Sequence, residues 1–218
     1  MRIGIIGAGN IGTGIGKRLT ARGHEVVVSF SKSQAALDQA AAAIGGGARA
    51  GSVAEAAGRG EVVVLATPWA VTLDAVRKAG RALDGKVVWD CTNPLLPDMS
   101  GLALGTTTSG GEQVAAAAPG ARVVKAVPPF AEVLHSSSTE IGGSKPGVFV
   151  CSDDAAARKL VAGLVAEIGA DPVDAGPLKL ARYTEPLGML LVQFAYAQGM
   201  GARIGAKLLR DAAQEIAR

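Results

Sequence analysis

Apolar, β-branched runs alternate along this chain with alanine-rich stretches of helical period, from residue 2 to about residue 173. The apolar runs lack an alternation of apolar and polar positions, which is typical of strands that helices cover on both faces. The predicted strands are 2–6, 25–30, 62–66, 86–90, 122–127, 148–151 and 172–174. The predicted helices are 11–21, 33–44, 53–57, 69–82, 111–117 and 153–168. Their alternation predicts an α/β fold with a doubly wound (Rossmann-type), mostly parallel sheet and right-handed crossovers.

Three segments depart from this alternation. Residues 91–110 and 128–146 show no clear period and are long enough to indicate functional loops. Residues 180–209 are apolar on nearly all sides, which predicts a buried helical segment. Since no other part of so short a chain is left to cover this segment, we expect a homodimer that forms through it. The predicted organisation is a main domain over 1–175 and a small C-terminal helical region over 176–218 that forms the dimer interface.

Composition narrows the class of protein. The 218 residues are 49% hydrophobic, and 22 Lys and Arg against 19 Asp and Glu give a net charge of +3 with no basic cluster. A nucleic-acid partner is therefore not expected, since neutralising phosphates requires a basic face. No apolar stretch reaches the length of a membrane span. Cys91 and Cys151 are far apart and lack neighbouring ligands, so we expect buried thiols and no metal site. The pattern is typical of a soluble, cytoplasmic protein.

A glycine motif follows the first predicted strand and opens the first predicted helix. The first glycine allows a tight turn, the second lets the backbone approach a pyrophosphate, and the third lets helix and strand pack closely. The helix N-terminus presents free N–H groups to the phosphates. The motif predicts a dinucleotide-binding domain rather than an empty glycine-rich turn, because strand and helix stand in the required order. Its residues are Gly7, Ala8, Gly9, Asn10, Ile11 and Gly12.

The end of the second strand indicates which dinucleotide is bound. NAD-binding domains usually have a carboxylate there for the ribose 2′-hydroxyl, whereas this chain has Phe30, Ser31 and Lys32. A lysine and hydroxyls are able to bind a 2′-phosphate through charge-assisted hydrogen bonds. We therefore predict NADP as the cofactor. The alternative is that Lys32 is an ordinary solvated residue, and the missing acid then still argues against NAD.

Two further strand ends are expected to border the dinucleotide, because ligands of open parallel sheets lie outside the carboxyl ends of the strands. At the first, Thr67 is expected to cap the next helix, Pro68 to fit its first turn and Trp69 to shield the cofactor, with Ala66 beside them. A pure capping motif explains the same residues. At the second, the Asn93 amide is placed to reach the nicotinamide, or alternatively to form an Asx turn before a proline.

The sequence identifies no catalytic side chain. His135 lies in the second irregular loop. It is either a proton donor or a solvated loop histidine, and the second interpretation is favoured because loops lie mostly at the surface. His24 precedes a strand and is expected to be structural. Arg182, Tyr183 and Glu185 are placed either to line a cleft or to form hydrogen bonds between subunits.

Four segments resemble one family, the F420H2:NADP oxidoreductases of archaea and actinobacteria. They are GAGNIGTGIGKRL (7–19), GHEVVVSFSKS (23–33), ATPW (66–69) and DAGPLKLAR (174–182). The resemblance implies NADP across 7–12, with its 2′-phosphate near Ser31 and Lys32, where relatives often have two basic residues. It also implies a C-terminal region that pairs subunits and walls the cleft of the second substrate. The chain differs at 127–130, which read Val-Pro-Pro-Phe where the family usually has Phe-Asn-Thr or a segment with histidine.

Three functions follow from these features. The leading hypothesis is hydride transfer between NADPH and F420 or a related flavin-like acceptor, because such chemistry belongs to the cofactors and asks the protein chiefly for positioning. The second replaces the acceptor with a small carbonyl or imine held against the Val-Pro-Pro-Phe segment. The third is a sensor that binds NADP without catalysis. The fold alone does not separate them.

Overall fold

A computed structural model describes residues 1–211 of the chain. The strands are β1 (Arg2–Ile6), β2 (Glu25–Ser29), β3 (Arg49–Ala50), β4 (Val62–Leu65), β5 (Val87–Asp90), β6 (Arg122–Lys125), β7 (Gly147–Cys151) and β8 (Asp171–Gly176). The helices are α1 (Asn10–Thr20), α2 (Gln34–Ile44), α3 (Val53–Arg59), α4 (Trp69–Ala79), α5 (Gly110–Ala117), α6 (Ala131–Leu134), α7 (Ala155–Glu167) and α8 (Ala181–Val192). No helix in these residues is long and apolar enough to cross a membrane.

The strands form a single sheet in the order β3-β2-β1-β4-β5-β6-β7-β8. The first six strands of this order are parallel, β7 pairs antiparallel with β6, and β8 runs parallel to β7. The predicted doubly wound, mostly parallel sheet is confirmed, whereas the β7–β8 pair runs against the other strands. Because the chain reverses its direction of winding between β1 and β4, a crevice opens at their carboxyl ends.

Both faces of the sheet are buried, as the apolar strand sequences predict. In β4, Val62 and Val64 belong to one core cluster, and Val63 and Leu65 belong to the cluster on the other face. Each of these four side chains is at most 1% exposed. Successive side chains of a strand point to opposite faces, so a strand without polar positions requires helices on both sides.

The C-terminal segment differs from the prediction of one buried helix over 180–209. Helix α8 ends at Val192, a π-helical turn continues to Ala197, and the residues that follow have no regular structure. Gly199 and Gly201, with φ of 70° and 77°, take the left-handed conformation in which glycine carries no steric cost and helices end. The chain then returns along the sheet, where the Gly147 N–H donates to the Ala206 carbonyl at 2.7 Å.

Smaller differences concern short elements and boundaries. Sequence periodicity missed β3 and α6, of two and four residues, because a period cannot be read from so few positions. Strand β2 ends at Ser29 rather than at residue 30, because Phe30 has a left-handed φ of 62°. That conformation turns the chain out of the sheet at the predicted ribose site.

Candidate functional site

The glycine motif connects β1 to α1 in the geometry that the sequence predicts. Gly7 has φ of 126°, and a Cβ built there would lie 2.3 Å from the Ala66 carbonyl oxygen. A Cβ on Gly12 would lie 1.9 Å from the Gly7 carbonyl oxygen. A Cβ on Gly9 would meet no atom within 4 Å. Gly7 and Gly12 are therefore required by packing within the protein, whereas Gly9 faces open space that a bound group is able to fill.

The N-terminus of α1 faces that open space without a side-chain cap. Gly9 is the N-cap residue, and no side chain accepts a hydrogen bond from the first amides of the helix. The two preceding amides are occupied, since Gly7 N–H donates to the Ser29 carbonyl and Ala8 N–H to the Phe30 carbonyl. The first N–H groups of a helix lack intrahelical acceptors and carry the positive end of its dipole, which makes this an anion-binding geometry.

The turn between β4 and α4 faces the same crevice. Pro68, not Thr67, is the N-cap residue of α4, and it provides no side-chain cap. The prediction that Thr67 caps this helix is therefore wrong: its hydroxyl lies 2.9 Å from the Thr72 hydroxyl, within the protein. Because Thr72 also donates to the Pro68 carbonyl, the two threonines fix the turn and hold Trp69 at the rim of the crevice.

A cavity of about 650 Å³ extends from the glycine motif into the crevice and beneath the C-terminal segment. Eight of the predicted cofactor residues line it: Gly9, Asn10, Ile11, Ala66, Thr67, Pro68, Trp69 and Asn93. The inner part is apolar and is lined by Pro128, Pro129, Leu187 and the rings of Phe130 and Tyr196, which contact each other edge to face with centroids 6.0 Å apart. Among residues 1–211, no Lys, Arg, His, Asp or Glu side chain lines this cavity.

The other predicted cofactor residues lie around the cavity rather than along it. Gly7, Ala8 and Gly12 form the body of the turn, and Ser31 and Lys32 are exposed beyond the end of β2. Phe30 is half-buried against the sheet, and the Lys78 ammonium lies 5.6 Å from its ring centroid. Two lysines therefore flank the turn at which the sequence predicts a ribose 2′-phosphate.

A buried ion network lies beneath the cavity. Lys125, at the end of β6, places its ammonium 2.7 Å from Asp90 Oδ2 and 3.0 Å from Glu185 Oε1. The Lys125 and Asp90 side chains are 0% exposed and that of Glu185 is 2% exposed. The network joins the carboxyl edge of the sheet to α8, which supplies part of the cavity wall.

Each charge of the network has further hydrogen-bond partners. Asp90 accepts from the Thr92 N–H and hydroxyl, and Glu185 accepts from the N–H groups of Gly110 and Gly111 at the start of α5. Burial lowers the pKa of the Lys125 ammonium, but the adjacent Asp90 and Glu185 carboxylates outweigh burial and raise the pKa above its ordinary value. The lysine is therefore charged and serves to fix α5 and α8 on the sheet.

Two sequence expectations outside the cavity, those for Glu185 and Arg182, are changed by the structure. Glu185 neither lines the cleft nor points to another subunit, because it belongs to the buried network. Arg182 forms a two-pronged ion pair with Glu112, at 2.6 and 2.8 Å, within the same chain. His135, the C-cap residue of α6, is exposed, as the favoured interpretation of a solvated histidine expects, and its Nε2 lies 2.8 Å from the Asn10 carbonyl. Tyr183, by contrast, is 73% exposed.

The remaining histidine and the cysteines have the structural roles that the sequence predicts. His24 Nε2 lies 2.5 Å from Glu167 Oε2, and its side chain is 7% exposed. Both cysteines are free and buried. Burial raises the pKa of the Cys151 thiol to about 11, and burial, assisted by the Asp90 charge, raises that of Cys91.

Comparison with known proteins identifies the family of this chain. The family model described as NADP oxidoreductase, coenzyme F420-dependent, matches residues 2–94. The F420-dependent NADP reductase of Methanocaldococcus jannaschii is 28% identical in an alignment that covers 94% of this chain and 98% of that protein. A solved structure from Arthrobacter sp. FB24, assigned as an F420-dependent NADP reductase, is 30% identical with a TM-score of 0.84 over 95% of this chain and 99% of that one. The chain belongs to the F420-dependent NADP reductase family.

Membership of the F420-dependent NADP reductase family confirms the resemblance that four sequence segments indicate. A more distant structure, the imine reductase of Myxococcus stipitatus in complex with NADP⁺, is 15% identical with a TM-score of 0.67 over 91% of this chain and 63% of that one. At that identity the likeness is one of fold only.

Sequence reasoning missed Lys125 in this family member, although a signal was present. Lys125 ends the otherwise apolar strand sequence RVVK, and lysine is almost never fully buried unless it is paired. Asp90 ends the neighbouring strand in the same way, in VVWD. Because the ends of adjacent parallel strands lie side by side, the two charges predict a pair, and the register does align Asp90 with Lys125.

Proposed function

We propose that this chain transfers a hydride between NADPH and the deazaflavin coenzyme F420. The observation that carries the proposal is the continuous cavity, which begins at the uncapped helix N-terminus beside Gly9 and extends to an apolar wall that includes Phe130 and Tyr196. Such a cavity has a site for the phosphates of a dinucleotide at one end and an apolar site for a flat ring system at the other. Family membership supports the same pair of coenzymes.

The protein's part in this reaction is positioning and the exclusion of water. When bound, NADPH would supply the hydride and a deazaflavin would accept it at carbon together with one proton. The amides beside Gly9 hold the phosphates, Trp69 covers the crevice, and the apolar wall removes water from the reacting rings. Lys32 and Ser31 bind the ribose 2′-phosphate, which no carboxylate at this turn repels.

The absence of charged side chains from the described cavity wall favours a flavin-like acceptor over a carbonyl or imine. Reduction of a carbonyl or imine needs a proton at the acceptor, usually from a positioned side chain. In the described residues, Tyr196 supplies the one hydroxyl-bearing aromatic ring in the wall, and its pKa is raised by burial and by the nearby Glu132 charge. Tyr196 is thus the donor that the carbonyl alternative requires.

A parallel assay separates the candidate functions. NADPH oxidation is followed with purified protein and, in separate reactions, F420, FMN and a panel of carbonyl and imine compounds. We expect turnover with F420 and unchanged turnover, within about twofold, in Tyr196→Phe. Turnover only with a carbonyl or imine, lost in Tyr196→Phe, would support the second function. Binding of NADP without turnover of any acceptor would support the sensor.

We also propose that the active form is a homodimer that pairs through α8. Tyr183, Pro186 and Leu190 are exposed on α8 at spacings of three and four residues, so they form one apolar row on its outer face. Tyr183 and Leu190 are 73% and 47% exposed. Sedimentation equilibrium is expected to give a dimer for the wild-type chain and a monomer for Leu190→Lys. Ala156→Lys, at an exposed site on α7, is the control and should stay dimeric.

A further inference from the structure

The part of the cavity wall that contains Phe130 is carried by α6, a helix of only four residues. Phe130 is the N-cap residue of α6, and its carbonyl accepts from the Val133 and Leu134 N–H groups, each at 3.0 Å. Phe130 and Ala131 line the cavity. A single helical turn is not stable by itself in water, so the position of Phe130 depends on the contacts that hold α6 in place.

A side chain from α1 holds the C-terminal end of α6. Arg18, in the last turn of α1, donates from Nε to the Leu134 carbonyl at 2.9 Å and from a terminal nitrogen to the Ser136 carbonyl. The last carbonyls of a helix lack intrahelical donors, and an arginine is a suitable partner for them. Arg18 is half-buried and lies outside the cavity wall. It is therefore linked to Phe130 through the backbone of Leu134 alone.

Gly14 allows α6 to approach α1 closely. It lies one helical turn before Arg18, on the same face of α1. A Cβ built on Gly14 would lie 2.8 Å from Leu134 Cβ and 3.2 Å from His135 Nε2. Leu134 is 0% exposed and belongs to the same core cluster as Leu19 of α1. Gly14 is not one of the three glycines of the dinucleotide motif, so its small size serves the contact with α6.

A second contact joins α6 to the first turn of α1. His135 Nε2 lies 2.8 Å from the Asn10 carbonyl oxygen and 3.5 Å from the Thr13 hydroxyl. Asn10 is the first residue of α1 and lines the cavity beside the proposed phosphate site. The helix that begins at the phosphate site is thus the same helix that holds the wall containing Phe130.

We propose that Arg18 is a positioning residue for the hydride acceptor, because it holds α6 on α1 and so keeps Phe130 at a fixed place relative to the phosphate site. The proposal rests on the proposed function, which places the acceptor ring against this wall. The Phe130 ring also contacts the Tyr196 ring edge to face, with centroids 6.0 Å apart, so a shift of α6 changes the wall at both rings. A misplacement of about 1 Å caused by a remote substitution is able to lower a rate about a hundredfold.

Three substitutions in the full chain test this role. Arg18→Met removes the hydrogen-bond donors and keeps an apolar stem. Lys17→Met, at the exposed neighbouring position of α1, makes the same change of charge and is the matched control. Gly14→Ala disturbs the same contact from the other side, since its Cβ would press against Leu134.

Three measurements are made on each variant. They are kcat/KM for F420 at saturating NADPH, the dissociation constant of NADP⁺, and the rate of hydrogen–deuterium exchange of the backbone amides of residues 133–135. In Arg18→Met, kcat/KM should fall about ten- to a hundredfold and the amides should exchange faster. The dissociation constant of NADP⁺ should stay within about twofold, because the glycine motif keeps its own contacts. Gly14→Ala should give the same pattern, and Lys17→Met should match the wild type.

Two results would overturn the positioning role. One is a kcat/KM within about twofold of the wild type in folded Arg18→Met, which would mean that Arg18 only stabilises the fold. The other is a loss of NADP⁺ affinity as large as the loss of kcat/KM, which would indicate general damage to α1. If Arg18→Met does not fold, Gly14→Ala decides by the same measurements.

Failure of the proposed function gives a different result. A wild-type chain that does not reduce F420 refutes the proposed acceptor and leaves the exchange rates to decide the role of Arg18. Faster exchange of residues 133–135 in Arg18→Met, but not in Lys17→Met, would then support the role. Unchanged exchange in Arg18→Met would refute it.

Discussion

The Lys125 ammonium lies 2.7 Å from the Asp90 carboxylate, and neither side chain is exposed to solvent. Both residues end a strand, so the contact sits where the carboxyl edge of the sheet meets the cavity floor. Glu185 completes the network from α8. One buried cation thus joins the sheet that carries the glycine motif to the helix that closes the cavity.

Removing the cation should destabilise the fold strongly. Lys125→Met leaves two carboxylates buried without their partner, and breaking a buried pair in this way costs about 3–5 kcal/mol. Urea unfolding measures the change. The same substitution at Lys78, in an exposed pair with Asp74, is the control and should cost about 0.5 kcal/mol or less. Equal losses in the two variants would show that the buried network contributes little.

Two glycines of the motif should respond differently to alanine. Gly12→Ala places a Cβ 1.9 Å from a carbonyl oxygen and should lower the melting temperature. Gly9→Ala places its Cβ in open space with an ordinary φ of −82°, so stability should be kept while NADP⁺ affinity falls at least about tenfold. Melting curves and calorimetric titration separate the effects. Wild-type affinity in Gly9→Ala would remove this loop from the binding site.

Cofactor selection should depend on Lys32. Lys32→Asp replaces the cation proposed to bind the 2′-phosphate with a repelling charge, so the preference for NADPH over NADH should fall by about ten- to a hundredfold, the range of one charge-assisted hydrogen bond. The ratio of the two dissociation constants measures it. Lys159→Asp, at an exposed site on α7, makes the same charge change and should leave the ratio unaltered. A shift as large at residue 159 would indicate a long-range effect of net charge.

Acid should weaken the contact between α5 and α8. The hydrogen bonds from Arg182 lower the pKa of Glu112 in the folded state. A lowered carboxyl pKa gives stability that is present above the ordinary value of about 4.3 and is lost as pH falls through the folded pKa. Between pH 7 and pH 3, the wild type should lose about 1 kcal/mol more than Glu112→Gln in urea unfolding. Glu140→Gln, at an exposed loop site, should behave like the wild type.

The cysteines should be unreactive in the folded protein. Burial raises the pKa of both thiols, so little thiolate exists at pH 8, and both groups are shielded from reagent. Mass spectrometry after treatment with iodoacetamide should show no label on native protein and two labels in urea. Rapid labelling of Cys91, which lines the cavity, would mean that the cavity opens widely to solvent.

The sequence by itself determined the sheet, the winding and the phosphate loop. Local sequence patterns predict all three. Apolar runs without polar alternation require a sheet that is covered on both faces. Three spaced glycines between a strand and a helix allow the close backbone approaches at Gly7 and Gly12. The residues of the family resemblance lie in the same local segments.

Only the tertiary structure determined which residues form the floor of the cavity and where the C-terminal segment runs. Lys125, Asp90 and Glu185 are far apart in the chain, and their pairing depends on strand register and on where α8 docks. The position of Thr67 before a helix is compatible with a capping role, but in the structure its hydroxyl is hydrogen-bonded to the Thr72 hydroxyl instead. The apolar sequence after residue 180 has no period that shows where the helix ends. The helix ends at left-handed glycines, and the chain then turns back over the cavity, where its backbone hydrogen-bonds to Gly147.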